Sequence, residues 1–270
     1  MSREARKRVL RIARPALRLC GLLGFDPRRG ARNLRAFPGF VRDVIAYRSM
    51  RPSEPFKFRL RDCQPYLGEK TEEAGTAGGA YFHQDLWAAR RIYQQRPARH
   101  IDIGSRLDGF IAHLLTFMPV TVVDIRPIQS QLTGLTFIQD DATQLARLPD
   151  NSEASISSLH AAEHFGLGRY SDPVDPQACF RFMASLQRIL EPGGRLYFSV
   201  PIGRERVEFN AHRIFAASTI LASFPHLSLV SFSFVDGAGR LHEEIRPEEA
   251  EGADGCGLFE FTKALPGERR

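Results

Sequence analysis

The run His100-Ile101-Asp102-Ile103-Gly104-Ser105-Arg106-Leu107-Asp108-Gly109-Phe110 constrains the fold of this chain more than any other stretch. It reads as a short buried strand, a glycine loop and a helix start. A second apolar run, Val120-Thr121-Val122-Val123, ends in Asp124, twenty positions beyond Gly104. A strand-loop-helix-strand unit with an acid closing its second strand is a nucleoside-binding half. The loop amides face an anion at the helix N-terminus, and the acid accepts hydrogen bonds from ribose hydroxyls.

The glycine spacing narrows the ligand. A dinucleotide loop asks for Gly-x-Gly-x-x-Gly, but here Gly104 and Gly109 fill the outer positions and Arg106 takes the middle one. A long side chain there obstructs close approach of a pyrophosphate to the backbone. The smaller carboxylate of an amino acid still fits, and S-adenosyl-L-methionine (SAM) offers that carboxylate together with a ribose. On the loop alone, an ordinary strand-to-helix turn remains the alternative.

Beyond Asp124 the pattern keeps alternating. Leu135-Thr136-Phe137-Ile138, Ala154 to Leu159 and Arg195 to Val200 read as strands, as do Leu227 to Val235 and Leu258 to Thr262. Helical spacing marks Phe82 to Gln95, Pro176 to Leu190 and Ala211 to Ser223, with a short helix ending at Leu148. The expected fold is therefore α/β: a doubly wound, mostly parallel, seven-stranded Rossmann-like sheet with one antiparallel edge strand. The expected domains are a basic, partly helical extension over residues 1–80 and a ligand-binding domain over residues 81–270. Residues 26–80 read as irregular, broken by Pro27, Pro38, Pro52, Pro55 and Pro65, with one helix from Phe40 to Tyr47.

Charge is unevenly spread. Residues 1–50 hold thirteen Arg or Lys against Glu4, Asp26 and Asp43, a net +10, while the whole chain sums to +6. The other 220 residues therefore sum to −4. Residues 1–25 alternate basic positions (Lys7, Arg11, Arg14, Arg18) with an apolar stripe, which suits peripheral contact with an anionic membrane. The competing expectation is a helix packed on its own domain. Arg11, Arg14 and Arg18 interrupt the apolar run, so it reads neither as a signal peptide nor as a membrane span. Cys20, Cys63, Cys179 and Cys256 are scattered, with no Cys-x-x-Cys pair. That argues against a disulfide framework or a cysteine zinc site, and suits a cytoplasmic, reducing compartment.

In this order and spacing the motifs resemble the class I SAM-dependent methyltransferase superfamily over roughly residues 82–263. The parts are Ile101 to Ser105, Val123-Asp124, Asp140-Asp141-Ala142 and Leu190-Glu191-Pro192-Gly193-Gly194-Arg195-Leu196. The segment His160 to Pro176 also resembles the domain-of-unknown-function 268 (DUF268) branch. The resemblance implies SAM as cofactor, with Gly104 at the methionine moiety, Asp124 at the ribose and Asp141 at the adenine amine. The full set expected to bind it is Asp102, Gly104, Ser105, Arg106, Gly109, Asp124, Ile125, Asp140, Asp141, Ala142 and His160. Arg106, at a usual glycine, is the departure. Asp140 and Asp141 also read as a helix N-cap pair.

His160-Ala161-Ala162-Glu163-His164 matches the His-x-x-Glu-His pattern of zinc peptidases, which requires both histidines on one helix face. Here it follows a strand directly and Gly166 and Gly168 break any helix, so no metal site is expected. The loop after strand four instead borders the reacting methyl in this fold. A hydroxyl acceptor is a poor nucleophile and gains from a general base. His164, oriented by Glu163, is the first choice, and His212 the second; hydrogen bonding of these groups to loop backbone is the plain alternative. The expected function is methyl transfer, O-directed, to a small-molecule or glycan-like acceptor. The rival is a catalytically silent binding or scaffold protein at a membrane surface. Nucleic-acid methylation is disfavoured, because the domain is acidic and strand four lacks an Asn/Asp-Pro-Pro-aromatic motif.

Overall fold

The computed structural model describes residues 24, 26–71, 74–129, 131–265 and 267. The basic stripe expected over residues 1–25 lies outside these, Gly24 apart. The chain divides into two units, Met1–Thr76 and Ala77–Arg270.

In the first unit, helix α1 spans Pro27–Ser49. Asp26 caps it, Oδ1 accepting from the Arg29 amide at 3.3 Å. Pro27 opens it, where a missing N–H costs nothing. This corrects the expectation of an irregular segment with a helix only from Phe40 to Tyr47. Pro27 is a start signal rather than a break, and Pro38 sits inside the helix at the loss of one backbone donor.

The second unit begins with helix α2 (Ala80–Gln95) and is built on an eight-stranded sheet. Strands β1 (His100–Ile103), β2 (Val120–Asp124), β3 (Leu135–Gln139), β4 (Glu153–Leu159) and β5 (Leu190–Ile202) run parallel. Strands β6 (Arg206–Glu208) and β7 (His212–Ile214) form a separate hairpin. Strands β8 (Leu227–Asp236), β9 (Leu241–His242) and β10 (Gly255–Lys263) complete the large sheet antiparallel, in the order β3-β2-β1-β4-β5-β10-β8-β9. The doubly wound expectation holds. The one reversed strand expected at an edge is β10, which lies inside the sheet between β5 and β8; β8 resumes the direction of β1–β5, and the two-residue β9, also reversed, makes the eighth.

Two local expectations differ. Ala211 to Ser223 is not one helix: β7 occupies its first half, and a helix runs only over Ala217–Ser223. The segment before Leu148 is a series of turns. Between β1 and β2 the chain makes a turn of π-helix (Leu107–Ile111) and the short α3 (Ala112–Leu114); α4 (Ala178–Ile189) precedes β5, and α5 is Ala217–Ser223.

Strand periodicity sorts the core onto both faces of the sheet. Ile101, Ile103, Phe198, Val200 and Phe259 pack with α4 residues such as Phe182 and Leu186 on one face. Val120, Val122, Tyr197 and Leu258 pack with Trp87 and Ile92 of α2 on the other. The strand order reverses between β1 and β4, and such a switch point opens a crevice at the carboxyl ends of the strands.

Candidate active site

A cavity of about 990 Å³ lies at that switch point. Gly104, Ser105, Arg106 and Gly109 reach it from the loop after β1, and Asp124 and Ile125 from the end of β2. Asp141 and Ala142 follow β3, His160, Glu163 and His164 follow β4, and His212 stands on β7. Asp102 and Asp140 do not line it.

Asp102 lies beneath the loop and is fully buried. Its carboxylate accepts from the Ser105 amide (3.0 Å), the Ser105 hydroxyl (2.7 Å) and Ser157 Oγ (2.5 Å). Burial pushes it up to about 6, against those hydrogen bonds. Beside it His100 is wedged between Ser155 and Ser157 and pushed by burial down to about 3. Asp102 therefore shapes the loop from below, a correction to its expected contact with ligand. Asp140 accepts from the Asp141 amide at 2.9 Å, and Asp141 from the Thr143 amide at 2.9 Å. The pair braces a turn rather than capping a helix.

Gly104 has φ +80°, and a Cβ there would stand 2.9 Å from the Ala161 Cβ, so the loop closes onto the end of β4 only with glycine. Gly109 serves a different neighbour: its missing Cβ would meet Asp85 Oδ2 at 2.6 Å. Asp85, from α2, lines the cavity, and burial raises its carboxyl above the usual range. The sequence reading missed it; the signal was a small residue facing an amphipathic helix. Arg106 lines the cavity and pairs with Asp108 at 2.7 Å.

Asp124 has a second partner that the sequence reading missed. Arg126 donates its backbone N–H (2.8 Å) and Nε (3.0 Å) to Oδ1, and Nη2 (2.6 Å) to Oδ2. The same guanidinium lies 4.5 Å from the centroid of the Tyr170 ring, a cation–π contact.

After β4, His160 takes φ +51° and brings Nδ1 to 2.7 Å from Glu163 Oε1. Burial works against the imidazolium, but the Cys256 sulfur and the Glu163 carboxylate outweigh it, and His160 is held well above its ordinary range. The 2.7 Å Glu163 contact is the specific one, since His160 Nε2 has no hydrogen-bond partner. His164 Nδ1 lies 2.7 Å from the Ala211 carbonyl oxygen, which can only accept. Arg169 Nη1, an obligate donor, also approaches Nδ1, but at 3.3 Å; the shorter contact, to the carbonyl, favours the proton on Nδ1 and the lone pair on Nε2. Arg169 donates to the same carbonyl at 2.8 Å. Burial first, then Arg169 and His160, lower the His164 pKa against the pull of Glu163, leaving the ring neutral at neutral pH. Glu163 Oε1 is 3.7 Å from His164 Nε2, beyond hydrogen-bond reach. The expected orienting partner is thus replaced: Ala211 orients His164, and Glu163 is engaged by His160. The His212 ring lies 6.4 Å from that of His164, and both line the cavity.

The arrangement and the sheet order define a class of fold. The [4+2]-cyclase SpnF superposes with a TM-score of 0.51 at 15% identity, over 69% of this chain and 85% of that one. The N-methyltransferase NodS from Bradyrhizobium japonicum WM9, in complex with S-adenosyl-L-homocysteine, gives 0.49 at 15%, over 69% and 89%. A putative sarcosine dimethylglycine methyltransferase from Galdieria sulphuraria gives 0.49 at 14%, over 67% and 86%. At such identity the likeness speaks to fold alone, and the fold shared with SpnF is a doubly wound α/β sheet. Residues 136–236 match the family described as "Caenorhabditis protein of unknown function, DUF268". The match takes in β4, the His160–His164 cluster and β5, and leaves the loop after β1 outside it. No curated protein matches it. No helix among the described residues is long and apolar enough to cross a membrane.

Proposed function

We propose that the protein binds SAM in this cavity and transfers a methyl group to a hydroxyl of a small or glycan-like acceptor. When bound, SAM supplies an electrophilic methyl on a sulfonium. The chain's own residues fit it: the Gly104 loop leaves room no side chain would leave, and Asp124 offers a carboxylate at the end of β2. Ile125 and Ala142 offer apolar surface for a flat ring, with Asp141 adjacent for an exocyclic amine.

The observation that carries the reading is the 2.7 Å contact of His164 Nδ1 with the Ala211 carbonyl oxygen, which favours Nε2 as the free acceptor. His164 lines the cavity that Gly104 and Asp124 also line. It takes the proton of the acceptor hydroxyl as the oxygen attacks, and the Glu163 carboxylate at 3.7 Å favours the imidazolium so formed. His212 lines the same cavity, its ring 6.4 Å from that of His164, and contacts the acceptor. A fold that also serves a [4+2]-cyclase does not by itself fix the reaction. The test is therefore chemical. Calorimetry with S-adenosyl-L-homocysteine should show binding, and a hydroxyl-acceptor screen should release it from SAM. No binding at millimolar ligand sinks the proposal. Binding without turnover on any acceptor points to the scaffold role instead.

A further inference from the structure

We propose that α1 is a docking helix for an anionic lipid surface. Leu34, Phe37, Val41 and Ile45 fall at i, i+3, i+7 and i+11 and form one stripe along the helix. They are 77%, 50%, 39% and 63% exposed, an unusual loss of burial for four large apolar side chains in register. The helix contains six arginines (Arg28, Arg29, Arg32, Arg35, Arg42, Arg48) and a single acid, Asp43. Asp43 is already paired, with Lys70 at 2.6 Å. Arg32, Arg35 and Arg42 are exposed, and none has an ion-pair partner among the described residues. By helical spacing Arg35 and Arg42 flank the apolar stripe, and Arg32 lies opposite it.

Charge and shape choose the occupant. A second copy would bring one +5 helix against another. A nucleic-acid backbone would take the arginines but has no use for a row of leucine, phenylalanine, valine and isoleucine. An anionic bilayer takes both: the stripe enters the headgroup boundary while the arginines meet the lipid phosphates and carboxylates. Low overall hydrophobicity together with a sharply divided surface is the pattern of a helix lying in the interface plane. The surface differs from the basic stripe of residues 1–25, and it stands whether or not the cavity turns over SAM.

The test uses the full chain in flotation with vesicles of phosphatidylcholine alone or with about one third phosphatidylserine. The wild type should bind the anionic vesicles, ignore the neutral ones and release in high salt. Leu34→Glu with Val41→Glu, and separately Arg35→Glu with Arg42→Glu, should each lower binding more than tenfold, given roughly fivefold per charge near such a surface. Unchanged thermal melting shows that each variant folds. Phe37→Trp should give blue-shifted emission, quenched by brominated lipid, on anionic vesicles only. The proposal falls if both double variants bind within twofold of wild type, which places binding elsewhere in the chain. It also falls if the wild type ignores anionic vesicles or the Phe37→Trp emission is unmoved. It falls equally if duplex DNA or a second copy, detected by light scattering, proves the better partner.

Discussion

In the proposed complex Arg126 competes with the ribose for Asp124, and Arg126→Met should reveal it. A carboxylate offers about four lone-pair positions. Arg126 fills three of them, two on Oδ1 and one on Oδ2. A ribose diol brings two donors, so at least one bond from the Arg126 side chain must give way. The Asp124 side chain is 10% exposed and that of Arg126 49% exposed. The displaced guanidinium is thus rehydrated, and the competing bond is worth about 1 kcal/mol rather than the 1.5–3 of a buried charge-assisted one. Removing it should tighten S-adenosyl-L-homocysteine binding about three- to tenfold by calorimetry. Asp124→Ala, which removes the acceptor itself, should weaken binding by one to two decades. In the Asp124→Ala background the Arg126 substitution should change affinity less than twofold. Weaker binding by Arg126→Met in the wild-type background would refute the lone-pair count and make Arg126 a ligand contact.

Three further outcomes follow from the same geometry. His164→Ala should lower turnover of a hydroxyl acceptor by roughly 10²–10⁴ with S-adenosyl-L-homocysteine affinity within twofold; because the folded pKa of His164 is lowered, wild-type activity should persist below pH 6.5 before it falls, and a midpoint above 6.5 would contradict this. Gly104→Ala places a Cβ at φ +80° and 2.9 Å from Ala161, and should cost about 1–3 kcal/mol in denaturant melts while abolishing ligand binding; a neutral effect would show that the loop is not pinned. Acid should expose the buried pair under the loop. His100, depressed to about 3, contributes stability that is full above its ordinary value of 6.5 and is lost as pH falls towards 3. Asp102, raised to about 6 from 3.8, contributes stability that is full below 3.8 and is lost as pH rises through 6. Between pH 7 and pH 5 the two oppose, so Asp102→Asn should lose about 1 kcal/mol more than wild type over that interval. Equal pH slopes would mean that Asp102 does not titrate there.

Most of the sheet was legible because its signals are local. Valine and isoleucine runs ending in Gly104 or Asp124 announce strands whatever lies beside them. The hairpin was not, because Ile214, Phe215, Ile220 and Leu221 repeat at a spacing either a helix or a strand-turn-helix can use; only pairing with β6 decides. α1 was obscured by reading Pro27 and Pro38 as breaks, when one of them is a start. The site divides the same way. Gly104, Asp124 and the His160–His164 cluster are contiguous motifs. The partners that define their chemistry come from afar: Asp85 from the helix before β1, and Ala211 from 47 residues beyond His164. Asp102 was read as a ligand contact because a strand-end acid looks the same above and beneath a loop.

The Ala211 carbonyl has one more consequence. Every amino acid supplies that oxygen, so residue 211 is free to drift without disturbing the proton on His164 Nδ1. The requirement is written in the length of the turn between Glu208 and His212, where the Ala211 amide is itself tied to the Glu208 carbonyl oxygen. Substitution scanning would pass over position 211 in silence, whereas deleting or inserting one residue in that turn would swing the carbonyl away and strip the histidine of its tautomer. The orientation of His164 is thus protected against point mutation and vulnerable to a shift in spacing.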